Sequence, residues 1–213
     1  MRIVMLGPPG SGKGTQAHII SELYGVPVVT TGDMLRDAVA RGTVHGLTAK
    51  GYMDRGELVP DEIVNAVVRE RLGRPDVEGG FILDGFPRSR AQAEALGRIL
   101  EERRLRLDHV VHVTLGDEAI VARLSKRRSC PSCGAVYHLE SKPPKTMGAC
   151  DECGARLVQR DDDRPEVIRN RLNVYREKTR PLLERYEEAG IVREVPGDTP
   201  LDELPGLLRS LLG

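Results

Sequence analysis

Tryptophan is absent from these 213 residues, and aromatics reach only 3% of the chain. A module that stacks unpaired bases needs aromatic faces along a basic groove, so a single-strand nucleic-acid binder is disfavoured. No sign of charge dominates either. Lys+Arg and Asp+Glu are both 32, and a net charge of zero supplies no field toward nucleic acid or an anionic membrane. No apolar run approaches the ~18 residues of a membrane span. The apolar stretch at Ile3–Leu6 is too short for a signal peptide, because Gly7-Pro8-Pro9-Gly10 ends it. The expected location is therefore cytoplasmic, where thiols stay reduced. An Asn-Lys-x-Asp guanine motif is missing, which argues against a regulatory GTPase. There is no internal repeat and no low-complexity linker. Histidines 18, 45, 109, 112 and 138 are scattered, and none is assigned a function.

What is present is an alternation. Short apolar runs at 3–6, 27–29, 81–83 and 110–115 read as strands, and 191–195 gives a fifth. Helical spacing covers 13–24, 33–41, 61–72, 89–104, 118–126, 165–189 and 201–212, with Ile168, Leu172, Tyr175, Leu182 and Tyr186 expected on one face of the long 165–189 helix. Strands separated by helices predict an α/β fold with a parallel five-stranded sheet covered on both faces. Residues 130–159 break the rhythm, with four cysteines among clustered Gly and Pro.

The first strand runs into Gly7-Pro8-Pro9-Gly10-Ser11-Gly12-Lys13-Gly14-Thr15, which opens a helix. Glycines let backbone N–H groups turn onto phosphate oxygens, the helix N-terminus adds positive potential, and Lys13 carries a charge for the β- and γ-phosphates. Gly14 stands where the general motif has Ser or Thr, and the hydroxyl comes one place later at Thr15, so contact to Mg2+ through water is expected. Asp84 ends the third strand and would face the ligand crevice of a parallel sheet. It is assigned to Mg2+ through water, with a turn or helix cap as the other reading. Phosphoryl transfer asks mainly for positioned cations. Lys13, Arg36, Arg88, Arg127, Arg160 and Arg171 supply that density, and arginine's planar fork suits phosphate.

The spelling GPPGSGKGTQ, then Thr31-Gly32-Asp33-Met34-Leu35-Arg36, then Asp84-Gly85-Phe86-Pro87-Arg88 with Gln92, resembles the adenylate kinases, in their long-lid bacterial form. The resemblance runs over nearly the whole chain. It implies a P-loop NTPase-like core of residues 1–29, 60–125 and 164–213, a mobile AMP-binding domain of 30–59, and a lid of 126–163. Gly10, Ser11, Gly12, Lys13, Gly14 and Thr15 would hold the ATP phosphates. Arg123 and Arg127 would stand at the lid hinge, Val136 and Tyr137 would touch ATP from the lid, and Thr199 would meet its adenine through the backbone. Thr31, Arg36, Glu57, Leu58, Val59, Gly85, Phe86, Pro87, Arg88 and Gln92 would hold AMP, and Arg160 and Arg171 would reach both substrates. The implied reaction is reversible transfer from ATP to AMP giving two ADP, by a monomer with no nucleic-acid or membrane partner. A kinase for UMP, CMP or GMP is the alternative. The run Asp161-Asp162-Asp163 reads as a solvated face or a helix cap, and the resemblance adds arginine partners at the lid border.

Cys130-x2-Cys133 and Cys150-x2-Cys153, sixteen residues apart, match the spacing of a four-thiolate zinc site. A closed site of that kind is structural, and in so small an insert the metal replaces a core. Zn2+ is the expectation. Iron also takes four thiolates, and two disulfides are the remaining reading, at odds with a reducing compartment.

Overall fold

The computed structural model describes residues 1–213. Five strands form one sheet: β1 (Arg2–Leu6), β2 (Val28–Thr30), β3 (Phe81–Asp84), β4 (His109–Thr114) and, late in the chain, β7 (Val192–Pro196). Their order is β2-β3-β1-β4-β7, and every pairing is parallel. Alternate residues of each strand feed opposite faces, as a period of two requires. Val4, Leu6, Phe81, Leu83 and Val110 enter one core, and Ile3, Met5, Ile82, Val111 and Val113 the other. The first face is covered by α4 (Asp61–Arg71), α5 (Arg90–Glu102) and α8 (Leu182–Glu188). The second is covered by α1 (Lys13–Tyr24) and α9 (Leu204–Leu212). The central strand β1 is flanked by β3 and β4; the chain leaves β1 through α1 on one face toward β2, and leaves β3 through α5 on the other face toward β4. The crevice at its carboxyl end is therefore the topological switch point where ligands bind in such sheets.

Two segments leave this frame. Between β2 and α4 lie α2 (Thr31–Ala40) and α3 (Val44–Arg55). The sequence reading had no helix at α3. Only Gly46 and Ala49 of α3 are buried, whereas Val44 and Leu47 are exposed, so its apolar pattern is faint. Its start is set by the Thr43 side chain, which accepts from the Gly46 N–H at 3.0 Å. After α6 (Asp117–Ser125), β5 (Arg127–Ser129) and β6 (Val136–His138) form an antiparallel pair of their own. They carry a four-residue core of Cys130, Tyr137, Cys150 and Leu157.

The long helix expected over 165–189 is interrupted. It runs as α7 (Pro165–Val174), a π-turn over Tyr175–Thr179, and α8. Pro181 lacks the N–H a continuing helix needs, and the widened turn carries the Arg180 N–H to Tyr175 O at 2.9 Å. The expected single face is consequently split: Ile168 and Leu172 pack with α6, whereas Leu182 and Tyr186 join the sheet core. The extra residue aims Thr179 Oγ1 at the Arg88 carbonyl, 2.8 Å away. No helix is long and apolar enough to cross a membrane.

Candidate active site

The loop Gly7–Gly12 joins β1 to α1. Gly12 caps α1 with φ +104° and offers no side-chain cap, and the first turn holds no acidic residue. The first N–H groups of α1 are thus left for an anion. Ser11 is buried, and its Oγ has no hydrogen-bond partner. An unpaired buried hydroxyl is costly, and a phosphate oxygen would satisfy it. Lys13 Nζ donates to Pro8 O at 2.7 Å. Burial pushes the Lys13 ammonium down to about 8, with Arg88, Arg171 and Arg127 acting in the same direction and Asp84 against them. Arg123 Nη1 donates to Ser11 O (3.2 Å) and Gly197 O (3.0 Å), bracing the loop against the turn after β7. Thr199 lies in that turn, half-buried, with its hydroxyl donating to Pro196 O at 2.9 Å. Asp84, at the end of β3, turns its carboxylate toward Gly14. Thr15 is exposed on the first turn of α1.

On the β2–β3 side, Thr31 Oγ1 and Arg88 Nε both donate to Gly85 O, at 2.9 and 2.8 Å. Gly85 has φ +84°, and a Cβ there would lie 2.7 Å from Arg88 Nη2 and 2.8 Å from Thr31 Oγ1. The site closes around a residue with no side chain. Phe86 is fully buried and precedes a cis Pro87. Arg88 N donates to Gln92 Oε1 at 2.8 Å, and Gln92 Nε2 donates to Asp61 Oδ1 at 2.7 Å. In sequence Asp61 marks only the start of a helix. Arg36 pairs with Asp33 at 2.5 Å. Glu57 pairs with Arg55 at the surface, Leu58 is half-buried, and Val59 is buried.

The remaining cations come from β5 to α7. Arg127 grips the wholly buried Asp163 through two bonds of 2.8 and 2.5 Å. Arg171 reaches Asp162 at 3.0 Å and Asp163 at 3.4 Å. All three aspartates therefore pair with an arginine: Asp162 and Asp163 with Arg171 and Arg127 in the crevice, and Asp161 with Arg164 at the surface. Burial works against the charge on Asp162, but Arg171, Arg127, Arg36 and Arg160 together hold its carboxyl below the usual range. Arg160 Nε donates to Ser129 Oγ at 2.7 Å. Burial, with Arg36 and Arg127 nearby, brings Arg160 down to about 10. Arg88 and Arg171 are lowered as well, burial leading in both. Lys13, Arg88, Arg123 and Arg160 have no carboxylate within 4.0 Å. Positive charge gathered in a partly desolvated crevice, in excess of the carboxylates beside it, is a site made for polyanions.

Beside the β5–β6 pair the four cysteine Sγ atoms lie within 4.8 Å of one another. Cys130–Cys153 and Cys133–Cys150 are 3.4 and 3.5 Å apart. A tetrahedral zinc with Zn–S near 2.3 Å needs edges of about 3.8 Å, so the donor set fits a zinc ion. Tyr137 is buried, its hydroxyl accepting from Asp151 N at 2.8 Å and lying 3.5 Å from Cys150 Sγ. That hydroxyl draws the Cys150 thiol down to about 6, toward the thiolate a metal requires. The ring expected to touch ATP therefore belongs to the small core with Cys130, Cys150 and Leu157, while neighbouring Val136 is exposed.

A glycine loop between a central parallel strand and an uncapped helix, ringed by unpaired cations, defines a P-loop protein that handles phosphate groups. Comparison with known proteins narrows this class. A family model described as adenylate kinase matches residues 5–191. Among curated relatives, an adenylate kinase of Archaeoglobus fulgidus is 54% identical over 202 residues, covering 95% of this chain and 93% of the relative. One of Thermodesulfovibrio yellowstonii is 52% identical over 212 residues (100% and 99%), and one of Geobacillus sp. (strain WCH70) is 50% identical over 213 (100% and 99%). The chain belongs to the adenylate kinase family and is a phosphotransferase.

Proposed function

We propose that this enzyme catalyses reversible, Mg2+-dependent transfer of the γ-phosphoryl of ATP to AMP, giving two ADP. The observation that carries this reading is the ring of buried or half-buried cations lacking carboxylate partners around the Gly7–Gly12 loop. One triphosphate occupies the loop and α1, and a monophosphate occupies the Arg36–Arg88 side. Arg160 and Arg171 lie between them and carry the charge of the transferring group. Magnesium bound with ATP would supply positive charge to the phosphate oxygens, and Asp84 and Thr15 are the residues that would hold it through water. An acceptor phosphate is already ionised near neutral pH, so no general base is needed. Catalysis is then positioning and electrostatic stabilisation.

Residues 30–59 act as the AMP-binding domain and 126–163 as a zinc-stabilised lid, both closing on the core formed by 1–29, 60–125 and 164–213. Closure keeps water from the γ-phosphoryl. Thr31 and Gln92 meet the acceptor's base, and Thr199 and the Val136–Tyr137 segment meet ATP. The enzyme works as a cytoplasmic monomer.

The test is Mg-ATP with AMP, CMP, UMP or GMP in separate reactions, quantifying each diphosphate. Strong preference for AMP, reversible from ADP alone, is the expected result. Preference for another acceptor keeps the fold and chemistry but overturns the reading of Thr31 and Gln92. No transfer to any of the four overturns the proposal. Small-angle scattering with a bisubstrate analogue tests closure, and an unchanged curve would refute it.

A further inference from the structure

Gln92 is 1% exposed, and its amide is anchored at both ends. Its oxygen accepts from Arg88 N at 2.8 Å, and its nitrogen donates to Asp61 Oδ1 at 2.7 Å. Asp61 is held in turn by Ser89 Oγ, which donates to Oδ2 at 2.9 Å and accepts from Gln92 N at 3.2 Å. A side-chain amide can turn over with almost no change of shape, exchanging donor and acceptor. Here the exchange would set an NH2 group against the Arg88 N–H and a carbonyl oxygen against a carboxylate. Two bonds would become two repulsions, so one orientation is enforced.

That orientation leaves one valence at each end of the amide: a lone pair on Oε1 and an N–H on Nε2. Together they match a base edge presenting a donor beside an acceptor, as adenine does with its N6 amino group and N1. They oppose hypoxanthine or guanine, whose O6 accepts and whose N1–H donates. We propose that Asp61 is a positioning residue that sets base specificity by locking the Gln92 amide in its adenine-reading orientation. The proposal rests on the reading of Gln92 as a contact to the acceptor's base.

The test compares kcat/KM for AMP with that for inosine monophosphate, which has adenine's size and the opposite edge. Asp61→Asn keeps the size and lets residue 61 donate to a turned-over Gln92. Losing the charged anchor should narrow the AMP preference about tenfold or more. The change should come from a raised KM for AMP and improved use of inosine monophosphate, with the KM for ATP unchanged. Because both acceptors report on one enzyme preparation, any loss of folded protein cancels in the ratio. Ser89→Ala separates a structural role from a positioning one. It removes the clamp on Asp61 but leaves the carboxylate, and its ratio should stay within about twofold of the parent. If Gln92→Ala collapses the preference while Asp61→Asn leaves it intact, the proposal is overturned and Gln92 still reads the base. If Gln92→Ala leaves the preference intact, the reading of Gln92 fails and takes the proposal with it. Equal falls with both acceptors in Asp61→Asn would make the contact purely structural and would also overturn it.

Discussion

Asp163→Ala removes the anchor on which two arginines of the active site converge. The carboxylate is 0% exposed, with Arg127 at 2.5 and 2.8 Å and Arg171 at 3.4 Å. Charge-assisted hydrogen bonds contribute ~1.5–3 kcal/mol each, and removing one member of a buried pair costs ~3–5 kcal/mol because the other charge stays buried. Arg127 is 19% exposed and can partly rehydrate, so the lower end, about 3 kcal/mol, is the expected loss. In a chain of this size each kcal/mol lowers Tm by ~2–4 °C, giving a fall of about 6–12 °C by calorimetry. Asp161→Ala is the internal control. Its pair with Arg164 is more than 60% exposed on both sides, and Tm should move by under about 2 °C. A double-mutant cycle with Arg127→Ala should return most of the loss as coupling between the two residues. ADP formation should fall ~10- to 100-fold in Asp163→Ala, because Arg127 and Arg171 lose their placement. A Tm drop below 2 °C, or additive effects in the cycle, would refute the account of Asp163 as the organiser of these cations.

Cys130→Ser or a strong chelator should lower Tm clearly, while activity at low temperature falls less, because the core around these cysteines has only four buried residues and a metal would substitute for a larger one. Melting curves that coincide with and without chelator would end the zinc reading. Lys13 titrates near 8 in the free enzyme, and phosphate oxygens favour its charged form. Nucleotide binding should therefore take up part of a proton above that pH, and ATP affinity should weaken as pH rises from 7.5 to 9. A binding enthalpy identical in buffers of different ionisation heat at pH 9 would contradict this. Gly85→Ala places a Cβ 2.7 Å from Arg88 Nη2 at φ +84°. Beyond ~1–2 kcal/mol of backbone strain, it should raise the KM for AMP several-fold and spare that for ATP. An unchanged KM for AMP would show that Arg88 is not held as described.

The chain's local chemistry determined a good deal of this protein by itself. The inner strands β1 and β3 each carry a short apolar run, because a strand buried on both faces must be apolar, whereas the edge strand β7 carries Arg193 and Glu194 between its valines. The phosphate loop is legible because only glycine tolerates its backbone, and the cysteine pairs because two turns must deliver four sulfurs to one ion. Such signals are local, lying within a few residues of one another. Helix α3 was not legible, since it buries little and so leaves little periodicity. Nor was the break at Tyr175–Thr179, where Pro181 and a contact to the Arg88 carbonyl widen a helix whose spacing otherwise reads as continuous. What only the tertiary structure decided is which charges meet. In sequence Asp161, Asp162 and Asp163 are three equivalent acids. Folding buries one against Arg127, joins another to Arg171 and leaves the third at the surface. Asp61 and Gln92 are 31 residues apart and share no motif, yet they are bonded at 2.7 Å. An ion pair or an oriented amide depends on distances of a few ångströms between segments distant in the chain. Those distances are set by how the helices pack on the sheet, and no local pattern records them.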